Sequence, residues 1–222
     1  MGLARIRGQE AAVRRLEAAH ESGRLSHAYL FVGPEGVGKE TTALELARAL
    51  NCESGGFDPC GECRSCRTIA ALSHPDVHLI FPAPTTAKPD EIAERIRQQV
   101  EKGYRDADFG RRTPVISVET VVSDVVLRSN QRAYVGAWKV FIVADADRMT
   151  QEAAPERTVI VLTTSRPSAL PSTIVSRCQR LPFSRLSEDA VVDVLTSDER
   201  LGFDRPGAKR VAALSLGSPG RA

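Results

Sequence analysis

Gly33, Gly36, Gly38 and Lys39 stand in the run Gly33-Pro34-Glu35-Gly36-Val37-Gly38-Lys39-Glu40-Thr41, a spacing suited to holding a polyphosphate. Glycines placed this way let successive backbone N–H groups turn inward around an anion. The start of a helix adds partial positive charge, and a lysine adds a full one. One position departs from a working site: a hydroxyl directly after the lysine would hold Mg²⁺, and this chain has Glu40 there. Thr41 comes one residue late, and on a helix that step turns a side chain by about 100°, away from the metal position. The expectation is a phosphate cradle of Gly33, Gly36, Gly38, Lys39 and Thr41 for ATP or another nucleotide, with its metal ligand in question. The bland alternative is a loop that only joins a strand to a helix.

Cys52, Cys60, Cys63 and Cys66 form a second chemical group. Two successive Cys-x-x-Cys steps in a Gly- and Pro-rich loop bring four sulfurs around one tetrahedral ion, and Zn²⁺ in a structural role is the favoured occupant. An iron–sulfur cluster is the rival, but a ferredoxin-like run needs a further cysteine just past Cys66, where Arg67-Thr68-Ile69-Ala70 has none. Such clustering in a reducing compartment argues for metal thiolates over disulfides. Cys178 stands apart. With four cysteines able to close a site, His74 and His78 read as structural, and His27 as a capping or packing residue.

A third group lies at two strand ends. Lys139 to Val143 is an apolar run that leads into Ala144-Asp145-Ala146-Asp147, where a nucleotide hydrolase places an Asp for Mg²⁺ and a Glu to orient water. Counted without gaps from Lys139, those two positions hold Ala144 and Asp145, and a register slip would restore an Asp to the metal. Thr163-Thr164 ends a later strand, where a hydroxyl could sense a γ-phosphate.

The elements that must position these groups follow from periodicity. Ala12, Val13, Leu16 and Ala19 give one helix an apolar face, Ala28 to Val32 reads as the strand before the loop, and Thr42 to Leu50 as the helix after it. Val77 to Phe81, the run from Lys139 and Arg157 to Leu162 read as further strands. Asp90 to Lys102 and Ile116 to about Gln131 read as covering helices, with Arg111, Arg112, Arg128 and Arg132 as solvated surface. Pro171 to Cys178 is a short helix that displays Arg177 at its end, and Leu186 to Leu195 and Ala208 to Leu216 are two helices of an appendage.

The 222 residues, 26% charged and 42% hydrophobic, can bury a sizeable core in one domain with room for a small second one. A net charge of +2 is too mild to argue nucleic-acid binding from charge alone. No apolar run reaches the roughly 20 residues that span a bilayer, and the first residues lack a secretion signal's apolar core. The expectation is a cytoplasmic protein with no membrane partner.

Taken with Gly8-Gln9-Glu10, His27-Ala28-Tyr29-Leu30-Phe31, Ala49-Leu50-Asn51-Cys52, His74-Pro75-Asp76, Asp145-Ala146-Asp147-Arg148-Met149 and Leu170-Pro171-Ser172-Thr173-Ile174-Val175-Ser176-Arg177-Cys178, these motifs make the chain resemble the AAA+ subunits of the bacterial DNA polymerase III clamp loader. The resemblance covers nearly the whole chain. Glu40 and the Ala144-Asp145 pair place it on the delta-prime side, because the gamma/tau motor subunits resemble a full Gly-Lys-Thr and Asp-Glu pair. The resemblance implies an α/β AAA+ P-loop three-layer sandwich with a mainly parallel sheet, its core over 1–185, a zinc module at about 51–67 and a partial α-helical lid over 186–222. It implies that Arg177 is an arginine finger acting in trans on ATP held by a neighbouring subunit, and that Arg221 is a second sensor. The implied partners are gamma/tau and delta subunits, the sliding clamp and primed DNA, in a replication complex that contains the DNA-directed polymerase. No independent ATP turnover is expected.

Two alternatives stay open beside that reading, a gamma/tau-like ATP-hydrolysing motor and a zinc-dependent DNA-binding regulator. Two further expectations concern completeness. Ala153-Ala154 runs straight into Pro155 where the family continues with a helix, so Ala154 and Pro155 are expected to lie farther apart than the roughly 3.8 Å of bonded neighbours. The C-terminal helical collar of the family is expected to be missing.

Overall fold

A computed structural model of the chain describes residues 2–84, 133–146, 158–198 and 201–221, with positions 87, 91, 92, 94–96, 98 and 116 between them. The expectations for the helix from Ile116 to about Gln131, for Arg111, Arg112, Arg128, Arg132 and Asp147, and for the spacing of Ala154 and Pro155 lie outside these residues.

Among the described residues, five strands form one parallel sheet: β1 (Ala28–Val32), β2 (Val77–Ile80), β3 (Lys139–Val143), β4 (Thr158–Thr164) and β5 (Gln179–Pro182), in the order β2-β3-β4-β1-β5. Parallel strands need covering on both faces, so their sequences read as near-continuous apolar runs. Side-chain alternation then divides them between two cores. Tyr29, Phe31, Val140, Ile142, Val159 and Val161 point to one face with helix α1 (Glu10–Glu21) and helix α2 (Lys39–Asn51). Leu30, Phe141, Val143, Ile160 and Leu162 point to the other, packed by Leu170, Ile174 and Val175. The order of strands and the two cores make the expected three-layer α/β arrangement.

Helix α3 (Arg64–Ala70) follows the cysteine run, where the sequence reading expects only a loop. Its cause is local: the Cys63 side chain caps the helix by accepting from the Cys66 amide, so the cysteine spacing itself starts a helix. A one-turn helix α4 (Ser172–Val175) precedes β5. The lid consists of α5 (Glu188–Ser197) and α6 (Arg205–Ser215). Ser187 and Asp204 cap them, and the Asp204 cap starts α6 three residues before the expected Ala208.

Candidate functional site

Strand β1 delivers the chain into the glycine loop at the carboxyl edge of the sheet, where open α/β sheets bind their ligands. Gly38 has φ 95°, a left-handed conformation that side chains resist, and no atom lies within 4 Å of the place a Cβ would occupy. Its carbonyl accepts from the Thr42 amide and from Thr42 Oγ1, which sets the first turn of α2.

Each carbonyl of the loop is taken by the protein. Lys39 Nζ donates to Gly33 O at 3.0 Å and Pro34 O at 2.7 Å. Ser218 Oγ donates to Glu35 O at 2.7 Å, the Gly220 amide to Gly36 O at 3.0 Å, and Gln9 Nε2 to Val37 O at 3.2 Å. These bonds to its own carbonyls fix the shape of the loop. The lid's last turn, Pro219–Arg221, is part of this scaffold: Gly36 and Gly220 approach so closely that a Cβ on Gly220 would lie 2.7 Å from Gly36 Cα. The side chain of Arg221 lies outside the described residues.

The metal-handling positions are arranged differently. Glu40 is buried, and its Oε1 accepts from Thr163 Oγ1 at 2.5 Å. Thr163 Oγ1 accepts in turn from the Asp145 amide at 3.3 Å. A carboxylate thus follows the lysine in place of a hydroxyl, and it engages Thr163, one of the two threonines the sequence offers for γ-phosphate sensing. A hydrogen bond to a charged partner contributes about 1.5–3 kcal/mol, so the pairing is not given up lightly. Asp145 has φ 49°. Thr164 turns away, its Oγ1 accepting from the Arg166 amide at 2.9 Å, and Thr41 is solvent-exposed on α2. Gly33, Gly36, Gly38 and Lys39 are brought together; Thr41 is not among them.

At the other end of α2 the four cysteine sulfurs lie within 4.8 Å of one another. The amides of Cys60, Cys63 and Cys66 donate to the sulfurs of Cys52, Cys60 and Cys63 in turn, at 3.4, 3.4 and 3.3 Å. Amides aimed at sulfur stabilise thiolates: those of Cys63 and Glu62 bring the Cys60 thiol down to about 6. Burial pushes Cys66 up to about 12, so this sulfur needs a cation to become a thiolate. The donor set, four convergent sulfurs at both a solvent-facing and a buried position, fits a tetrahedral metal. His74 and His78 do not join it: His74 Nδ1 accepts from the Asp76 amide, and His78 stacks on Phe141.

Arg177 is exposed on the turn after α4, its amide donating to Ile174 O, while Ile174, Val175 and Cys178 anchor the turn in the second core. The register places it far from the loop of its own chain. Gln179 pairs with Tyr29 and Pro182 with Val32, the residue before the loop, so β5 runs about 10 Å from its first residue to the loop edge, and Arg177 lies on the turn before that first residue, at the amino edge of the sheet.

Sequence reasoning missed the scaffold around the loop. Gln9 holds Val37 O, Ser184 O and the Ser184 amide, and Ser218 and Gly220 hold the loop's tip across more than 180 positions of chain. Gly8-Gln9-Glu10 stood out only as a shared motif and Gly217-Ser218-Pro219-Gly220 only as a break, neither as a hold on the loop.

Comparison with known proteins gives a consistent picture. A family model described as DNA polymerase III, delta subunit, matches residues 8–187. DNA polymerase III subunit delta' of Bacillus subtilis (strain 168) is 34% identical over 201 residues, covering 86% of this chain and 52% of that protein. DNA polymerase III subunit tau of the same organism is 35% identical over 186 residues, covering 83% of this chain and 29% of that protein. The chain spans about half the length of the first relative and less of the second. Among solved structures, the Thermotoga maritima RuvB Holliday junction branch migration motor superposes with a TM-score of 0.54 at 18% identity, covering 99% of this chain and 61% of that one. At that identity the likeness bears on the fold alone.

Proposed function

Because the chain belongs to the DNA polymerase III delta-subunit family, matched over residues 8–187, we propose that it is the delta-prime-type subunit of a clamp loader. In this reading it works without turning over ATP at its own loop and supplies Arg177 to the ATP site of a neighbouring gamma/tau subunit. Its further partners are the delta subunit, the sliding clamp and primed DNA, within the cytoplasmic polymerase III holoenzyme. No helix among the described residues is long and apolar enough to cross a membrane.

The observation that carries this reading is the Glu40–Thr163 pair. In a motor site the residue after the lysine gives a hydroxyl to Mg²⁺, and the metal neutralises charge that develops on the β- and γ-phosphates. Here a carboxylate fills that position and is bonded to Thr163, so an incoming Mg-triphosphate meets negative charge and an engaged sensor. The amides of the loop and Lys39 still favour an anion, which fits a structural nucleotide or an empty cradle. Arg177 supports the second half of the reading. Its guanidinium is permanently charged and forks onto phosphate oxygens, and its place at the edge opposite its own loop suits a phosphate held by another subunit. Cys52, Cys60, Cys63 and Cys66 would hold Zn²⁺, which supplies a fixed tetrahedral junction and no reaction step.

The test is Arg177→Ala in a reconstituted loader. Assembly is expected to stay intact while ATP turnover at the adjacent motor site falls about 10³-fold, the lower end of an arginine finger's contribution. Unchanged turnover refutes the role. The gamma/tau-like motor keeps one supporting observation, a glycine loop held in shape with Lys39 folded onto it. Mg-ATP binding together with turnover by the chain alone would favour it, and binding without turnover would leave a structural nucleotide.

A further inference from the structure

At the carboxyl end of α2, several hydrogen bonds converge that neither the phosphate loop nor Arg177 uses. Asn51 is the last residue of α2, and the next residue, Cys52, is a member of the sulfur cluster. The Asn51 side chain is buried and used at both ends: Nδ2 donates to Ala47 O at 3.2 Å, and Oδ1 accepts from the Trp138 amide at 3.0 Å. Trp138 closes a turn that begins at Tyr134 and leads into β3. Within that turn Gly136 passes so close that an added Cβ would lie 2.2 Å from Asn51 Oδ1 and 3.3 Å from His74 Cε1. The turn therefore rests directly on Asn51.

Its other end is held by Asp76. This carboxylate is fully buried and accepts from three successive amides, Tyr134 at 2.7 Å, Val135 at 2.8 Å and Gly136 at 2.9 Å. The result is a tip of two apolar residues standing in solvent, Tyr134 at 72% and Val135 at 57% exposure, on a base of buried polar contacts. Networks of this kind are costly when half satisfied, so displacing Asn51 by even a small amount orphans the Trp138 amide and loosens the turn as a unit.

We propose that the cysteine cluster sets the conformation of the Tyr134–Trp138 turn through Asn51, so that a metal on Cys52, Cys60, Cys63 and Cys66 fixes the exposed Tyr134–Val135 tip. The proposal rests on the reading of the four cysteines as a metal site. Without a cation the four sulfurs lose the one contact that all of them share, and the Cys52 backbone is freed to shift against the end of α2. Asn51, one peptide away, carries that shift to Trp138. Coupling between two sites is reciprocal, so a turn deprived of its Asp76 anchor must hold the metal less tightly.

Trp138 is the sole tryptophan of the chain, and its emission reports the turn directly. The full chain is loaded with Co²⁺, whose thiolate charge-transfer band reports occupancy, and then stripped with a chelator. Trp138 emission is expected to change in step with the band while far-UV circular dichroism stays constant. In Asn51→Ala the band is expected to form and decay as before with Trp138 emission no longer following it, and Asn51→Asp, which keeps the acceptor oxygen, is expected to retain the link. Asp76→Asn should raise the chelator sensitivity of the Co²⁺ band about 5-fold or more, the usual lower range of site-to-site coupling. Co²⁺ release with unchanged Trp138 emission in the unaltered chain overturns the proposal and leaves the metal reading standing. An emission change accompanied by loss of helix signal also overturns it, since that is unfolding of the domain. Failure of Co²⁺ to bind removes the metal reading and the proposal with it.

Discussion

Helix α2 joins two chemical sites, about 20 Å apart along its thirteen residues, and their sets of chemical groups are complete to different degrees. At its amino end the loop has the glycine spacing of a phosphate cradle, but Glu40 follows its lysine and is bonded to Thr163, and Ala144 holds the Asp position when counted without gaps from Lys139. At its carboxyl end the donor set is complete, with four sulfurs within 4.8 Å and amides already aimed at three of them. The difference teaches that the backbone shape of a loop and the side-chain chemistry beside it are separable. Loop geometry is built by glycines and distant hydrogen bonds and survives a side-chain change, whereas a metal site is its side chains.

The largest contrast between the ends should appear on removing one residue from each. Cys66→Ser takes out the buried sulfur of the cluster, and structural Zn²⁺ sites contribute on the order of 10 kcal/mol of binding free energy. Loss of the Co²⁺ thiolate band and faster amide exchange across α3 are expected. Lys39→Ala removes an ammonium bonded to two carbonyls and should lower stability by only about 1–3 kcal/mol in urea unfolding. Equal losses at the two ends would break the comparison.

Next in size is Asp76→Ala, which leaves three amides without their acceptor and should cost about 3 kcal/mol, read as a lower urea midpoint at an unchanged slope. The same carboxylate carries a pH signature. Burial works to raise its pKa, but the amides of Gly136, Val135 and Tyr134 outweigh burial and hold it below the usual carboxylate range. A depressed folded pKa contributes stability that is present above the ordinary aspartate value, near 4, and is lost as pH falls through the folded one. Urea midpoints measured from pH 6 down to pH 2 should show that loss, and Asp76→Asn should flatten it. An Asn variant with the same acid dependence would contradict the assignment.

Much of this was legible in the chain itself, and the reason is that both sites are sequence-local. The glycine loop and the cysteine run each carry their spacing within a dozen or so residues, and the strands around them are apolar enough to declare a covered parallel sheet. Helix α3 was not legible because its start depends on a cysteine acting as a cap, a role that spacing rules assign to Ser, Thr, Asp or Asn. The hold of Ser218 and Gly220 on the loop, and of Asp76 on the Tyr134 turn, join positions 183 and about 60 residues apart. His74-Pro75-Asp76 reads as a turn before β2, and nothing in it announces three amides from another part of the chain. Thr41 follows the opposite course: the 100° rotation per residue already turns it from the loop, and it is exposed.

The smallest predicted effect sharpens the comparison at the amino end. Glu40→Thr restores the missing hydroxyl and frees Thr163, and Mg-ATP affinity should rise about 10-fold, or 1.4 kcal/mol, by equilibrium binding with a fluorescent analogue. No gain would mean that the loop's closure by Lys39, Ser218 and Gly220 excludes nucleotide before metal chemistry matters.

Steady-state ATP hydrolysis by the purified chain, alone and with Mg²⁺ in excess, tests the central claim most directly. The account predicts no turnover above the protein-free background at any ATP concentration. Saturable hydrolysis at about 1 s⁻¹ or faster, within the ordinary enzymatic range and abolished by Lys39→Ala, would contradict it.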